Sequence, residues 1–237
     1  SGSSYDGIIT IWDALVRSKN TVAAQIIDKL TPSVSFEYLT ERMGFQLVEA
    51  DRDYAPLALG QFTYGVTVRE MAQAYTSFPN DGEMTYARSY SLITDSNGNT
   101  VLENGMRTSH VFSVDTARCM TEMLEAAAWY GTGYEVYLGY GKMPVAGKTG
   151  TTSDDYDRWF CGFSPYYVTA VWTGYDSPAP MYYSGNPAAQ IWRRIMSQIN
   201  DPLPVIQFND PTNRGYDTGI FGDLETTPEP TPVPTAT

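Results

Sequence analysis

Apolar positions recur at helical spacing through the first 80 residues, change to alternation between residues 145 and 175, and return to helical spacing after Pro187. Thr10 and Asp13 read as a capping box opening a short helix with Ile11, Trp12, Leu15 and Val16 on its apolar side, stopped at Ser18-Lys19-Asn20. A second helix is predicted from Thr21 to the Thr31-Pro32 break, and a third from Ser33 to Met43, with Gly44 as its stop. An irregular stretch follows. Thr67 and Glu70 then form another capping box, before Val68, Met71, Ala72 and Tyr75 at i, i+3, i+4 and i+7. Tyr90 to Thr94 and Thr100 to Leu102, joined through Asn97-Gly98, predict a β-hairpin whose turn wants positive φ. Ser113 caps a helix carrying Val114, Ala117, Met120, Leu124 and Ala127, which ends at Gly131-Thr132-Gly133. Three consecutive strands are predicted at Val145–Thr151, Arg158–Phe163 and Tyr167–Tyr175, then a helix from Pro187 to the Asp201-Pro202 stop. Helices, an antiparallel meander and a covering helix make an α+β plan.

Composition sharpens this plan at a few points. The 237 residues are 42% hydrophobic and 18% charged, enough for a core of one or at most two domains. Residues 1–205 read as one domain. Residues 206–237 read as a C-terminal extension whose Pro/Thr-rich end, from 226 onward, cannot bury an apolar face and is expected to be disordered. With 15 Lys and Arg against 27 Asp and Glu, the net charge of -12 argues against nucleic acid and anionic membrane surfaces as partners. Cys119 and Cys161 match no metal or redox spacing, and His110 is the single histidine, so zinc hydrolase chemistry is excluded and neither metal nor cofactor is expected. The start has no basic or apolar leader region, and no run approaches the length of a membrane span. The expectation is a cytosolic protein or a chain cut from something longer.

Candidate chemistry centres on Lys148-Thr149-Gly150-Thr151. A phosphate-loop reading fails, because the position that must be glycine is Lys142 and no amphipathic helix follows. On an edge strand, the same string puts an ammonium and a hydroxyl toward a cleft, while glycine lets a ligand backbone lie close. That arrangement suits the anionic end of an extended peptide. Ser18-x-Asn20 places a hydroxyl and a carboxamide between two helices. Ser184-Gly185-Asn186 matches the pattern equally well but reads as the cap region before Pro187. Gly131-Thr132-Gly133 reads as a helix stop and turn, with a place beside the cleft as the second reading. Asp154, Asp155 and Asp157 read as an exposed turn between strands.

Taken in order, these strings resemble the penicillin-binding proteins, specifically the transpeptidase domain of the bifunctional class A type, which carries Ser-x-x-Lys, then Ser-x-Asn, then Lys-Thr-Gly with a following Thr. Ser18-Lys19-Asn20 and Lys148-Thr149-Gly150-Thr151 match the second and third. Leu59-Gly60-Gln61-Phe62-Thr63-Tyr64-Gly65-Val66, Gly131-Thr132-Gly133, Trp159-Phe160-Cys161-Gly162-Phe163-Ser164-Pro165 and Val171-Trp172-Thr173-Gly174-Tyr175-Asp176 extend the resemblance over roughly residues 5 to 200. One departure is large. The four lysines are Lys19, Lys29, Lys142 and Lys148, and three positions before them stand Val16, Ile26, Gly139 and Val145, so the chain has no Ser-x-x-Lys.

The resemblance implies a β-lactamase/transpeptidase-like fold, an antiparallel sheet flanked by helices, with the N-terminal strands and the nucleophile helix missing. The strand at Tyr167–Tyr175 is then expected to present an unpaired edge. It implies a D-Ala-D-Ala transpeptidase that forms an acyl-serine on peptidoglycan stem peptides and binds β-lactams, with this chain alone inactive. Ser18 would relay a proton to the leaving amine, Asn20 would hold the acyl side-chain amide, and Lys148 would lend positive potential. Thr149 and Thr151 would hold the terminal carboxylate beside Gly150, and the Thr151 N–H would be half of an oxyanion hole. It further implies an upstream glycosyltransferase domain and a place at the outer face of the bacterial cytoplasmic membrane, reached through an anchor outside these residues. The alternative is a non-catalytic β-lactam or cell-wall-binding module that lacks the nucleophile.

Overall fold

A computed structural model describes residues 7–213. Helix α1, Ile11–Val16, starts where the Thr10 hydroxyl accepts the Asp13 N–H at 3.0 Å. Only half of the expected capping box forms, since the Asp13 carboxylate takes the Thr10 hydroxyl proton at 2.9 Å. The chain turns back through Ser18, at φ +54°, straight into α2, Asn20–Leu30, which begins one residue before its expected start. Helix α3, Pro32–Glu37, continues as a π-helical turn over Tyr38–Arg42 and stops at Gly44. A short helix, α4, Tyr54–Leu59, lies in the stretch expected to be irregular. It is bracketed by Asp53 at its N-cap and by left-handed Gly60 at its end. Helix α5, Val68–Tyr75, carries the complete Thr67/Glu70 box, with bonds of 3.1 and 2.8 Å.

Two small antiparallel ribbons follow. Strands β1 (Glu83–Thr85), β2 (Leu92–Thr94), β3 (Thr100–Glu103) and β4 (Thr108–His110) pair β1 with β4 and β2 with β3. Only the inner ribbon, β2 with β3, has the Asn-Gly turn that announces a hairpin in sequence. Helix α6, Val114–Trp129, is capped by Ser113. Strands β5 (Ala146–Thr151), β6 (Asp157–Phe163) and β7 (Val168–Gly174) then form an antiparallel sheet in that order, and α7, Pro187–Asn200, covers it. The architecture is α+β, as the sequence predicts. Among the described residues no strand lies beyond β7, so its outer edge is unpaired.

The sheet is fixed by its packing on α7. Phe160 is fully buried against Trp192, with ring centroids 5.0 Å apart, and Ala188, Ala189 and Met196 complete that layer. Gly147 and Gly162 are direct partners across β5 and β6. A Cβ on either would stand 2.6 Å from a ring atom of Phe160, so the two glycines form the slot in which that ring lies. Gly147→Ala is therefore expected to cost about 1–3 kcal/mol through overpacking, read from urea denaturation. A loss too small to measure would show that the ring is free to move. Elsewhere Leu124 of α6 packs with Ala146 and Phe163.

Residues 206–213 lie past the domain limit expected at 205, and they run against this body. Phe208 meets Phe163 at 5.4 Å between centroids, and Thr212 bonds Asp115 at 2.8 and 2.9 Å. The expected Pro/Thr-rich tail lies outside the described residues.

Candidate active site

Strand β5 is the opposite edge of the sheet from β7, and the α1–α2 turn and the turn after α6 stand beside it. Lys148 extends from β5 to meet both. Its Nζ donates to the Ser18 hydroxyl at 2.9 Å and to the Thr149 carbonyl at 3.1 Å. The hydroxyls of Thr132 and Thr149 each lie 3.4 Å from the same nitrogen. The Thr149 hydroxyl in turn donates to that of Thr132 at 3.2 Å. Residues 130 positions apart thus meet at one ammonium.

Local structure explains how Ser18 gets there. Left-handed backbone at a non-glycine residue costs about 1–2 kcal/mol, and here it lets α1 end and α2 begin with a single reversal. The reversal is held by Ser18 N–H donating to Leu15 at 3.1 Å and Lys19 N–H donating to Ala14 at 2.8 Å. It leaves the Ser18 side chain pointing out of the helix pair toward β5. Asn20 is the exposed first residue of α2, and no hydrogen bond joins it to Lys148 among the described residues.

Electrostatics follow from the surroundings of Lys148. Burial lowers its pKa from the ordinary lysine value to about 8, and among the described residues no carboxylate acts to raise it. Among the described residues its bonds are to neutral oxygens, so near pH 7 the ammonium is charged and has no ion-pair partner there. An anionic ligand would supply one.

The rest of the string stays on the same strand. Gly150 is half-buried opposite Trp159, whose Cβ would be 3.2 Å from an added side-chain carbon. Thr151, exposed, ends β5 beside Arg158. A cavity of about 520 Å³ opens next to this group, lined by Asp13, Val16, Arg17, Tyr130, Gly131, Thr132 and Tyr134.

Gly131-Thr132-Gly133 reads first as a plain turn and second as a neighbour of the cleft, and the Thr132 hydroxyl stands 3.4 Å from Lys148 Nζ. A lone hydroxyl between two glycines has no periodicity to mark it; its signals are the glycine pair and its place among the strings that carry the resemblance. The competing Ser184-Gly185-Asn186 goes to a helix cap, with the Asn186 side chain accepting the Ala189 N–H at 3.2 Å. The acidic turn is used locally. Asp155 pairs with Arg158 at 3.0 Å, and Asp157 accepts from Thr152 and from the Trp172 indole at 3.1 and 2.8 Å.

Comparison with known proteins places these residues in context. The model of the penicillin binding protein transpeptidase domain matches residues 2–197. Penicillin-binding protein 1A of Clostridium acetobutylicum is 38% identical over 208 residues, covering 87% of this chain and 25% of that protein. Penicillin-binding protein 4 of Bacillus subtilis is 33% identical over 189 residues, covering 79% of this chain and 30% of the relative. The chain thus spans about a quarter of the length of these curated relatives. Among solved structures, penicillin-binding protein 1A from Haemophilus influenzae superposes with a TM-score of 0.73 at 20% identity, over 88% of this chain and 37% of that one. PonA1 from Mycobacterium tuberculosis also gives 0.73, at 24% identity, over 96% and 66%. The fold is the transpeptidase-like one that these structures share.

Proposed function

Because the chain belongs to the penicillin-binding protein transpeptidase family, we propose that it is the downstream portion of a serine D-Ala-D-Ala transpeptidase that cross-links peptidoglycan stem peptides and binds β-lactams. The observation that carries this reading is the Lys148 ammonium on the Ser18 hydroxyl at 2.9 Å, beside the free edge of β5. A terminal D-alanine carboxylate laid along that edge meets an uncompensated positive charge and two threonine hydroxyls, those of Thr149 and Thr151. Gly150 leaves room for its backbone.

The chemistry divides between this chain and a serine it does not contain. A Ser-x-x-Lys segment supplies the nucleophile, whose oxygen attacks the carbonyl of the penultimate D-alanine. The oxyanion forms against the Thr151 N–H and a second donor on the nucleophile's own backbone. As the C–N bond breaks, the leaving amine takes a proton through the Ser18 hydroxyl, which Lys148 supports from behind. An acyl-serine remains, with its side-chain amide held by Asn20. The amine of a neighbouring stem peptide then attacks that ester, gives up a proton along the same route, and releases the serine. β-Lactams enter as mimics of the dipeptide and stop at the acyl stage.

On this reading the whole protein works at the outer face of the bacterial cytoplasmic membrane, with a glycosyltransferase domain upstream. Among the described residues no helix is long and apolar enough to cross a membrane. One observation favours a second reading, a binding module without catalysis: these 237 residues hold no Ser-x-x-Lys. Fluorescent penicillin separates the two. The chain alone is expected to stay unlabelled, whereas a polypeptide that includes its upstream coding region is expected to label covalently at a Ser-x-x-Lys serine. Labelling of the chain alone would mean the nucleophile has been misassigned. A longer form that binds penicillin only reversibly would establish the binding module.

A further inference from the structure

Thr132 has a mounting that a simple helix stop does not need. Gly131 is wedged between helices: an added Cβ would lie 2.6 Å from the Val16 carbonyl oxygen and 2.9 Å from the Ala127 Cα. On the other side, a Cβ at Gly133 would lie 3.2 Å from the Ala127 carbonyl oxygen and 3.3 Å from the Phe160 ring. Thr132 N–H donates to Val16 at 3.2 Å, and Gly133 N–H donates to Ala127 at 3.0 Å. The turn is therefore bonded to the C-terminal ends of both α1 and α6, and the side chain it carries is exposed. An exposed hydroxyl adds little to stability, so the rigid support calls for another account.

Hydrogen-bond arithmetic supplies one. An ammonium has three protons and no lone pair, while a hydroxyl accepts two bonds and donates one. Two Lys148 protons go to Ser18 and to the Thr149 carbonyl, leaving one for the hydroxyls of Thr132 and Thr149. Thr149 spends its own proton on Thr132. Donors from both residues thus converge on the Thr132 oxygen. Its proton remains for the cavity that Thr132 lines together with Asp13, Arg17, Tyr130 and Tyr134.

Resting on the transpeptidase reading, we infer that Thr132 is a positioning residue of the acyl-transfer site, holding the Lys148 ammonium on the Ser18 hydroxyl and fixing the rotor of Thr149. Without its oxygen the third ammonium proton has no anchored acceptor on the helix side, and the Thr149 hydroxyl loses its partner.

Thr132→Val removes the oxygen at nearly constant shape, and Thr132→Ser keeps it. The first measurement is the titration of the Lys148 side chain by NMR in this chain. Losing an acceptor of the charged form is expected to lower the midpoint by about half a unit or more in Thr132→Val, and Thr132→Ser is expected to hold it near the unsubstituted value. Asp13 and Arg17 are present in both variants and act equally on each. The second measurement is the rate of covalent penicillin labelling in the longer polypeptide, expected to fall by about tenfold to a hundredfold in Thr132→Val and to recover in Thr132→Ser. An unmoved Lys148 midpoint in folded Thr132→Val overturns the inference, as does unchanged labelling of a longer form that labels well. If Thr132→Val does not fold, Thr132→Ala replaces it under the same criteria. A shifted midpoint in a longer protein that never labels would instead overturn the functional reading and leave the contact between Thr132 and Lys148 standing.

Discussion

Lys148→Met, placed in a longer polypeptide that labels covalently with penicillin, is expected to slow that labelling by about 10²–10⁴-fold, the range of a positioned proton-transfer group. The same substitution is expected to leave the melting temperature unchanged or raised. The reason lies in the surroundings of the ammonium: it is half-buried among neutral oxygens with no carboxylate partner among the described residues, so below pH 8 the fold carries part of the cost of desolvating it. Methionine fills the same space without charge. The pH dependence follows with a definite sign. Lys148 titrates near 8 when folded and near the ordinary lysine value when unfolded, so the unfolded chain binds more protons between those limits and stability rises with pH across that window. Labelling moves the opposite way, falling as pH passes through about 8 and the ammonium is lost. A Lys148→Met protein that labels at an unaltered rate would remove Lys148 from the mechanism, and one that melts lower would overturn the desolvation argument.

Trp192→Ala is expected to be the most damaging core substitution, at about 3–5 kcal/mol by urea denaturation. Trp192 is fully buried, meets Phe160 edge to face, and donates its indole N–H to the Thr169 carbonyl at 3.0 Å. Removing it empties the layer between α7 and the sheet and takes away the second donor to a carbonyl that stays paired with Gly162 across β6 and β7. Domains of this size are stable by only about 5–15 kcal/mol, so such a loss consumes a large part of the total. Trp192→Phe keeps most of the volume and forfeits the hydrogen bond, with an expected cost of about 0.5–1.5 kcal/mol. Equal losses for the two variants would mean that the bond, not the packing, carries the effect.

Elements with a strong period were legible before any coordinates. α5 is found at its capping box, and β5, β6 and β7 each lie within one residue of the expected strands, because the sequence of each carries a pattern long enough to read. Short pieces were not. α4 has six residues, and β1 and β4 have three each, too few for a periodic signal. They are shaped by Asp53, Gly60 and tertiary contacts. The candidate site divides along the same line. Lys148 and its neighbours form a string that can be read directly, whereas the approach of Ser18 depends on a left-handed residue between two helices, and Thr132 depends on where α6 happens to end.

The glycine slot under Phe160 has one more effect. Side chains on a strand alternate between its two faces, so a slip of β5 by one residue would carry Lys148 over to the face where α7 packs. With Gly147 seated opposite Gly162 and the ring lying over both, that misalignment would push a lysine chain into the aromatic layer. The benzyl ring thus acts as an indexing pin, tying the orientation of a polar surface group to the interior of the molecule.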